Sequence, residues 1–384
     1  MSRRPRAAEL DDGEAPPDAD RLEGFPHPRE TFHLAGQAAA ETELAAALAS
    51  GRMHHAWLLT GREGIGKATL AYRFARSALA SPAERERIPG GTLQVAPDAV
   101  VSKQLRVLSH PGLMVIRRPW NREGKRLASV IPVDEVRRLK AFLQHSAGEG
   151  AYRVVIIDRA EDMNASAANA VLKSLEEPPI RTVFMLVSSE PGRLLPTIHS
   201  RCRRLELKRL GEADLLAALE HPLAVAKIDA PKAEQRQLIA KLADGSVRRA
   251  LQLLQGGAVD LHGKIVGLLS TLPKVDYEAV HKLAETAGAH GADEQFQSFY
   301  ALLTDLIARA LRGRATGQLL SGIEEPLIAR LFPDGPSSAR LATWAGLWET
   351  IGREKAEALA LNLDRKALIL DTFARIEAAA RSAG

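Results

Sequence analysis

The chain has 384 residues, more than one hydrophobic core usually organises, so two or three domains are expected. Apolar residues make up 46% and charged residues 26%, an ordinary globular balance, while aromatics at 4% argue for helix over a β-sandwich or barrel. A net charge of +5 does not demand a polyanionic partner, and a single cysteine, Cys202, excludes an internal disulfide and a four-cysteine zinc site.

Residues 1–30 begin MSRRPRAAELDDGEAPPDAD, with basic residues but no apolar stretch, so they are not a secretory signal. Their Pro, Asp and Glu content reads as a disordered leader. Residues 37–50 are rich in Ala and Leu and read as a helix stopped by Gly51. Ala56–Leu59 is a short apolar run, read as a strand. It leads into TGREGIGKATL, which matches the phosphate-loop pattern G-x-x-x-x-G-K-[ST] at Gly61, Gly66 and Lys67. At the last position, where a hydroxyl should hold magnesium, stands Ala68. Leu70, Phe74 and Ala78 then share one helical face, so strand, glycine loop and helix follow in the order such a loop requires.

Residues 81–110 read as irregular, with the breaker Pro89-Gly90-Gly91. Leu113–Ile116 is the next strand, followed by the basic loop RRPWNREGKR. Residues 132–144 read as a helix with Pro132, Asp134 and Glu135 at its start and Val136, Leu139 and Leu143 on one face. Val154–Asp158 and residues 183–189 are continuous apolar runs of the kind buried on both faces of a parallel sheet. Between them lies a helix capped by Asn164 that stops before Pro178-Pro179. Residues 203–208 alternate and read as a last strand. Strands alternating with helices specify a parallel-sheet α/β domain over 31–208. A small helical domain over 209–256 and an all-helical domain over 257–384 follow, with no internal repeat.

In such sheets, ligands bind outside the carboxyl ends of the strands. Gly61, Gly64, Ile65, Gly66, Lys67, Ala68 and Thr69, with Asp158 and Ser188 or Ser189, all fall there. Backbone N–H groups of the loop would cradle phosphate oxygens, and Lys67 would reach the outer phosphates. Thr69 is rotated by roughly 100 degrees on its helix and does not replace the missing hydroxyl. Asp158 is the acid expected to hold magnesium, directly or through water. The next position, where a glutamate would orient an attacking water, is Arg159, and a cation cannot act as a base. Glu161 swinging in stays open as a substitute. ATP binding with magnesium is therefore expected to outlast hydrolysis, in a weak or vestigial site.

NAVLKSLEEPP at 169–179, VFMLVSS followed by LLPTIHSRC to Cys202, and GSVRRAL at 245–251 resemble the clamp-loader subunits of bacterial DNA polymerase III, members of the AAA+ superfamily. His110-Pro111-Gly112-Leu113 is similar to the segment that opens the second strand there. Within the family, the chain is most similar to members whose Walker motifs are degraded beside an intact Ser200-Arg201-Cys202. The resemblance implies an AAA+ domain, a helical lid and a helical collar in a hetero-oligomer of the cytoplasm. It implies gamma/tau-type and delta-type subunits, the sliding clamp and primed DNA as partners. Arg201 is then an arginine finger presented to ATP on a neighbour; without the resemblance, Arg201, Arg203 and Arg204 read as a solvated basic edge. Ser188 or Ser189 takes the sensor 1 place. Arg248 takes the sensor 2 place, touching its own nucleotide or pairing with an acid. The alternative is an ATP-hydrolysing gamma/tau-like motor, which would carry Ser or Thr at 68 and Glu at 159. Residues 359–373 resemble the last collar helix, with Leu361, Ala367, Leu368 and Leu370 apolar. The family's four-cysteine zinc module is absent from 81–110, so zinc is not expected.

Overall fold

The computed structural model describes residues 18–121, 126–144, 151–255, 257–289, 292–317, 324–332, 337–361 and 363–382. The chain divides into two compact units between Leu251 and Gln252. The first contains α1 (Ala38–Ala49), β1 (Ala56–Thr60), α2 (Lys67–Leu79), α3 (Pro82–Arg85), α4 (Val100–Arg106), β2 (Leu113–Ile116), the short β3 (Trp120–Asn121) and β4 (Arg126–Leu127), α5 (Val133–Gln144) and β5 (Arg153–Ile157). It continues with α6 (Ala165–Glu176), β6 (Thr182–Ser188), α7 (Pro196–His199), β7 (Arg203–Glu206), α8 (Glu212–Ala226), α9 (Ala233–Ala243) and the start of α10 (Val247–Gln255). The helices expected over 209–256 thus lie mostly in the same unit as the sheet.

Five strands pair in the order β2-β5-β6-β1-β7, every pairing parallel. The central strands are apolar because both faces are covered, and alternate side chains go to opposite layers. Trp57, Leu59, Ile156 and Met185 pack with Leu70, Tyr72 and Phe74 of α2; Leu58, Ile157, Phe184 and Leu186 pack with Val136 and Leu139 of α5 and Val171 of α6. Asn164 caps α6 by accepting from the Ala167 N–H at 2.8 Å.

Two stretches of this unit depart from the sequence reading. Residues 81–110 are not wholly irregular: Ser81 starts α3 with a reciprocal cap to Glu84, and α4 buries Val101 and Leu105 against the α2 layer. The residues 18–30 of the expected leader are ordered: Phe25 and His27 are buried, and Pro28–Glu30 form a 3-10 turn. Charge pairing holds this stretch where apolar content is low; residues 1–17 lie outside the described residues.

The second unit contains α11 (Ala258–Ser270), α12 (Tyr277–Ala287), α13 (Asp293–Thr316), α14 (Glu325–Leu331), α15 (Ser338–Leu361) and α16 (Arg365–Ser382). Phe296, Phe299 and Tyr300 of α13 form an aromatic cluster that reaches Phe373 of α16. The stretch 359–373 is not one helix. Asp364 accepts from the Lys366 N–H at 2.9 Å and starts a new one. Leu361 is exposed, and Ile369, Phe373 and Ile376 are among the residues α16 buries. Among the described residues, no helix is long and apolar enough to cross a membrane.

Candidate nucleotide site

The glycine loop joins β1 to α2 as the sequence requires. Gly64 has φ +78°, and a Cβ there would lie 2.3 Å from Ser246 Oγ and 2.6 Å from Arg248 Cβ. The Gly64 carbonyl accepts from the Val247 N–H at 2.8 Å, so α10 begins against the loop. Gly61 has φ +133°, and its missing Cβ leaves room for the Leu207 carbonyl. Gln37, before α1, donates to Ile65 O at 3.2 Å and Lys208 O at 2.7 Å, tying the loop to the chain beyond β7.

Lys67 begins α2 but its ammonium folds back. It donates to Gly61 O at 2.7 Å, Arg62 O at 2.5 Å and Ser189 Oγ at 3.0 Å. Burial pulls this lysine down to about 8, against the opposing charges of Glu161 and Asp158. Of the two serines, Ser189 borders the cavity, whereas Ser188 is fully buried on β6 with its hydroxyl unpartnered. Ser189 follows the last residue of β6, and it is this serine, of the two read as candidates, that meets Lys67. Glu161 caps this corner by accepting from the Ser189 N–H at 3.0 Å.

Asp158 follows β5 as expected and is buried. Its surroundings are unexpected. Asp20 lies beside it, and burial, then the Asp20 charge and hydrogen bond, push Asp158 well above the carboxylate range. Burial would raise Asp20 as well, but hydrogen bonds from His27 and Asp158 and the charge of Arg117 outweigh it and hold Asp20 low. The backbone N–H of Arg29 donates to His27 Nδ1 at 3.0 Å, which leaves Nε2 to face Asp20 Oδ2 at 2.7 Å. Arg117 bonds Asp18 and lies 3.2 Å from Asp20 Oδ1.

Gly64 to Thr69, Asp158, Ser189 and Arg248 border one cavity of about 220 Å³, together with Asp20, Leu22 and Phe25. Gly61 and Ser188 stand behind it. Arg248 Nη1 donates to the Asp20 carbonyl at 3.0 Å and its Nε lies 3.5 Å from Glu63, so it contacts both the N-terminal stretch and an acid. Arg159 pairs with Glu63 at 3.4 Å and Asp162 at 3.2 Å.

The loop and the N-terminus of α2 fit a phosphate. On the metal side Ala68 supplies no hydroxyl oxygen, which leaves Asp158, bordering the cavity, as the group that would hold a magnesium ion directly or through water. Sequence reasoning missed Asp20, His27 and Arg117. They are separated by up to 97 residues, and nothing in their local pattern signals the contact.

Arg201 lies apart from this cluster. It precedes β7, which runs parallel to β1, with Trp57 opposite Arg203 and Thr60 opposite Glu206. At roughly 3.3 Å per residue, it sits at the sheet edge opposite the loop, ~10 Å or more away. Its guanidinium is one-third exposed, pairing with Glu176 at 2.7 Å and donating to Thr197 O at 3.0 Å. Burial pushes the adjacent Cys202 thiol up to about 12.

The family described as "DNA polymerase III, delta subunit" matches residues 36–211. The chain is 37% identical over 232 residues to DNA polymerase III subunit delta' of Pseudomonas aeruginosa, covering 60% of this chain and 65% of that one. It is 27% identical over 329 residues to subunit tau of Salmonella typhimurium, covering 80% and 49%. It therefore spans between about half and two thirds of these relatives' own length. Among solved structures, a DNA polymerase III gamma subunit-related protein from Thermotoga maritima aligns with 88% of this chain and 99% of its own, at 21% identity and a TM-score of 0.38.

Proposed function

On the premise that this chain is an AAA+ relative of the clamp-loader subunits of bacterial DNA polymerase III, we propose that it acts as the delta-prime, stator-like subunit. In this reading it is a cytoplasmic member of a hetero-oligomer with gamma/tau-type and delta-type subunits. It presents Arg201 to ATP on its neighbour and helps place the sliding clamp on primed DNA. The division into AAA+ (31–208), lid (209–256) and collar (257–384) domains belongs to the same reading.

The observation that carries it is the position of Arg201. A planar guanidinium suits charge spread over a transferring phosphoryl group. Here it stands one-third exposed, paired with Glu176, at the sheet edge opposite the chain's own phosphate loop, where it reaches another subunit more readily than its own. Ala68 and Arg159 support loss of the chain's own hydrolysis. The second reading, an ATP-hydrolysing gamma/tau-like motor, draws on the tau relative. It needs a metal-holding hydroxyl and a water-orienting acid at those two positions.

The test is ATP turnover by a complex reconstituted with gamma-type and delta-type subunits, clamp and primed DNA. Arg201→Ala is expected to slow it by about a thousandfold or more, the scale of an arginine finger, with the chain alone silent. Turnover by the isolated chain that is lost in Lys67→Ala would favour the motor reading instead.

A further inference from the structure

We propose that residues 18–27 form a self-inhibitory strap. It seals the metal side of the phosphate pocket and must lift before a nucleoside triphosphate with a divalent cation can enter. This inference rests on reading Gly61–Thr69 as a phosphate loop; it does not rest on the role of Arg201.

The strap occupies the place of the ligand in three ways. Asp20 borders the cavity together with Asp158, the acid positioned to meet a metal, and a second carboxylate there opposes a phosphate by like charge. The Asp20 carbonyl takes a hydrogen bond from Arg248, the cation that α10 aims at the loop. Leu22 and Phe25 close the rim, leaving about 220 Å³, below the roughly 300–1,000 Å³ of ordinary small-molecule pockets. Lys67 meanwhile satisfies itself on Gly61, Arg62 and Ser189.

The strap is built to detach without unfolding the domain. Its outer part is tethered by charge: Asp18 to Arg117 and to Arg29 at 2.7 Å, and Asp20 to Arg117 and His27. Its base is fixed more firmly. Arg73 and Arg76 of α2 donate to the carbonyls of Phe32 and Arg29, and Arg76 stacks over the Phe32 ring at 4.1 Å. Release at Asp18 and Asp20, with Phe25 and His27 leaving their buried places, would free residues 18–27 and leave 29–36 in place. An incoming triphosphate with its cation offers replacements for what the strap supplies: a phosphate for Arg248 and Lys67, a cation for Asp158.

The test uses the full chain and a fluorescent ATP analogue, N-methylanthraniloyl-ATP with magnesium. The Asp18→Ala/Asp20→Ala double variant is expected to bind at least tenfold more tightly than wild type, and Lys67→Ala in that background to remove the gain. Equal affinity of wild type and double variant, measurable or not, overturns the strap, as does a gain that survives Lys67→Ala. Hydrogen exchange on the unaltered chain gives a second reading that no folding defect can cloud. Amides of 18–27 are expected to lose protection at saturating magnesium nucleotide; nucleotide binding with protection unchanged overturns the proposal. Turnover by neighbouring subunits enters neither measurement, so the finger and the strap stand or fall separately.

Discussion

Glu176 holds the guanidinium of Arg201 at 2.7 Å, joining the SLEEPP segment to the SRC segment across the bottom of the sheet. Both side chains are partly exposed, and such pairs contribute at most about 1 kcal/mol. Glu176→Ala is expected to leave the urea midpoint nearly unchanged. It also separates two roles for Arg201. If the arginine acts on a neighbour, Glu176→Ala preserves turnover of the assembled complex while Arg201→Ala abolishes it; equal losses in both would mean that the pair matters only as a pair.

The contact between Gly64 and the start of α10 gives a stability prediction. An added methyl meets Ser246 and Arg248 and forces a left-handed backbone on alanine. Gly64→Ala should cost roughly 1–3 kcal/mol. Gly51 shares a positive φ of 68° but has open space around it. Gly51→Ala should therefore lose only the backbone part, about 1 kcal/mol. Paired denaturation curves separate strain from clash, and equal losses would discount the clash.

Lys67 makes a prediction about pH. Its folded value of about 8 lies below the ordinary 10.5, so the folded state favours the neutral amine. The favourable contribution is fully present above 10.5 and is lost as pH falls through 8. Between those limits wild type should gain on Lys67→Met by roughly 1–3 kcal/mol as pH rises. A pH-independent difference between the two proteins would show that the amine is not desolvated.

Cys202 should be a poor nucleophile. Its thiol moves from 9.0 to about 12 through burial, which at pH 8 makes thiolate scarcer by about a thousandfold. Labelling by Ellman's reagent should be at least a hundredfold slower in the native protein than after denaturation in urea. Similar rates would place the thiol in solvent.

In the helical unit, Glu324 is buried between His262, at 2.9 Å, and Arg309, at 2.7 Å. Glu324→Ala removes a buried partner of Arg309, Asp305 remaining at 2.9 Å, and should cost less than the about 3–5 kcal/mol of a stranded buried cation, while Glu324→Gln keeps part of the hydrogen bonding and costs less still. Chemical denaturation of the two variants decides the order.

The sheet was legible because burial on both faces leaves continuous apolar runs, as at Val154–Ile157, and the phosphate loop because glycines and lysine stand at fixed offsets. The strap was not. Asp18 and Asp20 sit in a stretch whose composition resembles a solvated tail, and the charges that hold them arrive from Arg117 and Arg29. Which serine meets Lys67 depends on where β6 ends, which Ser188-Ser189 alone leaves open. The start of α16 turned on Asp364 acting as a cap within an otherwise helical pattern.

Because β1 and β7 run the same way, the module carries its phosphate loop on one rim and Arg201 on the other. A contact between that arginine and a neighbour's phosphate loop would join unlike faces, rim to opposite rim. Modules joined so would not close as two-fold pairs; they would extend in one direction, into an open arc with a first and a last member or into a closed ring. The polarity of such an array would be set within a single chain, by the sense in which two neighbouring strands run.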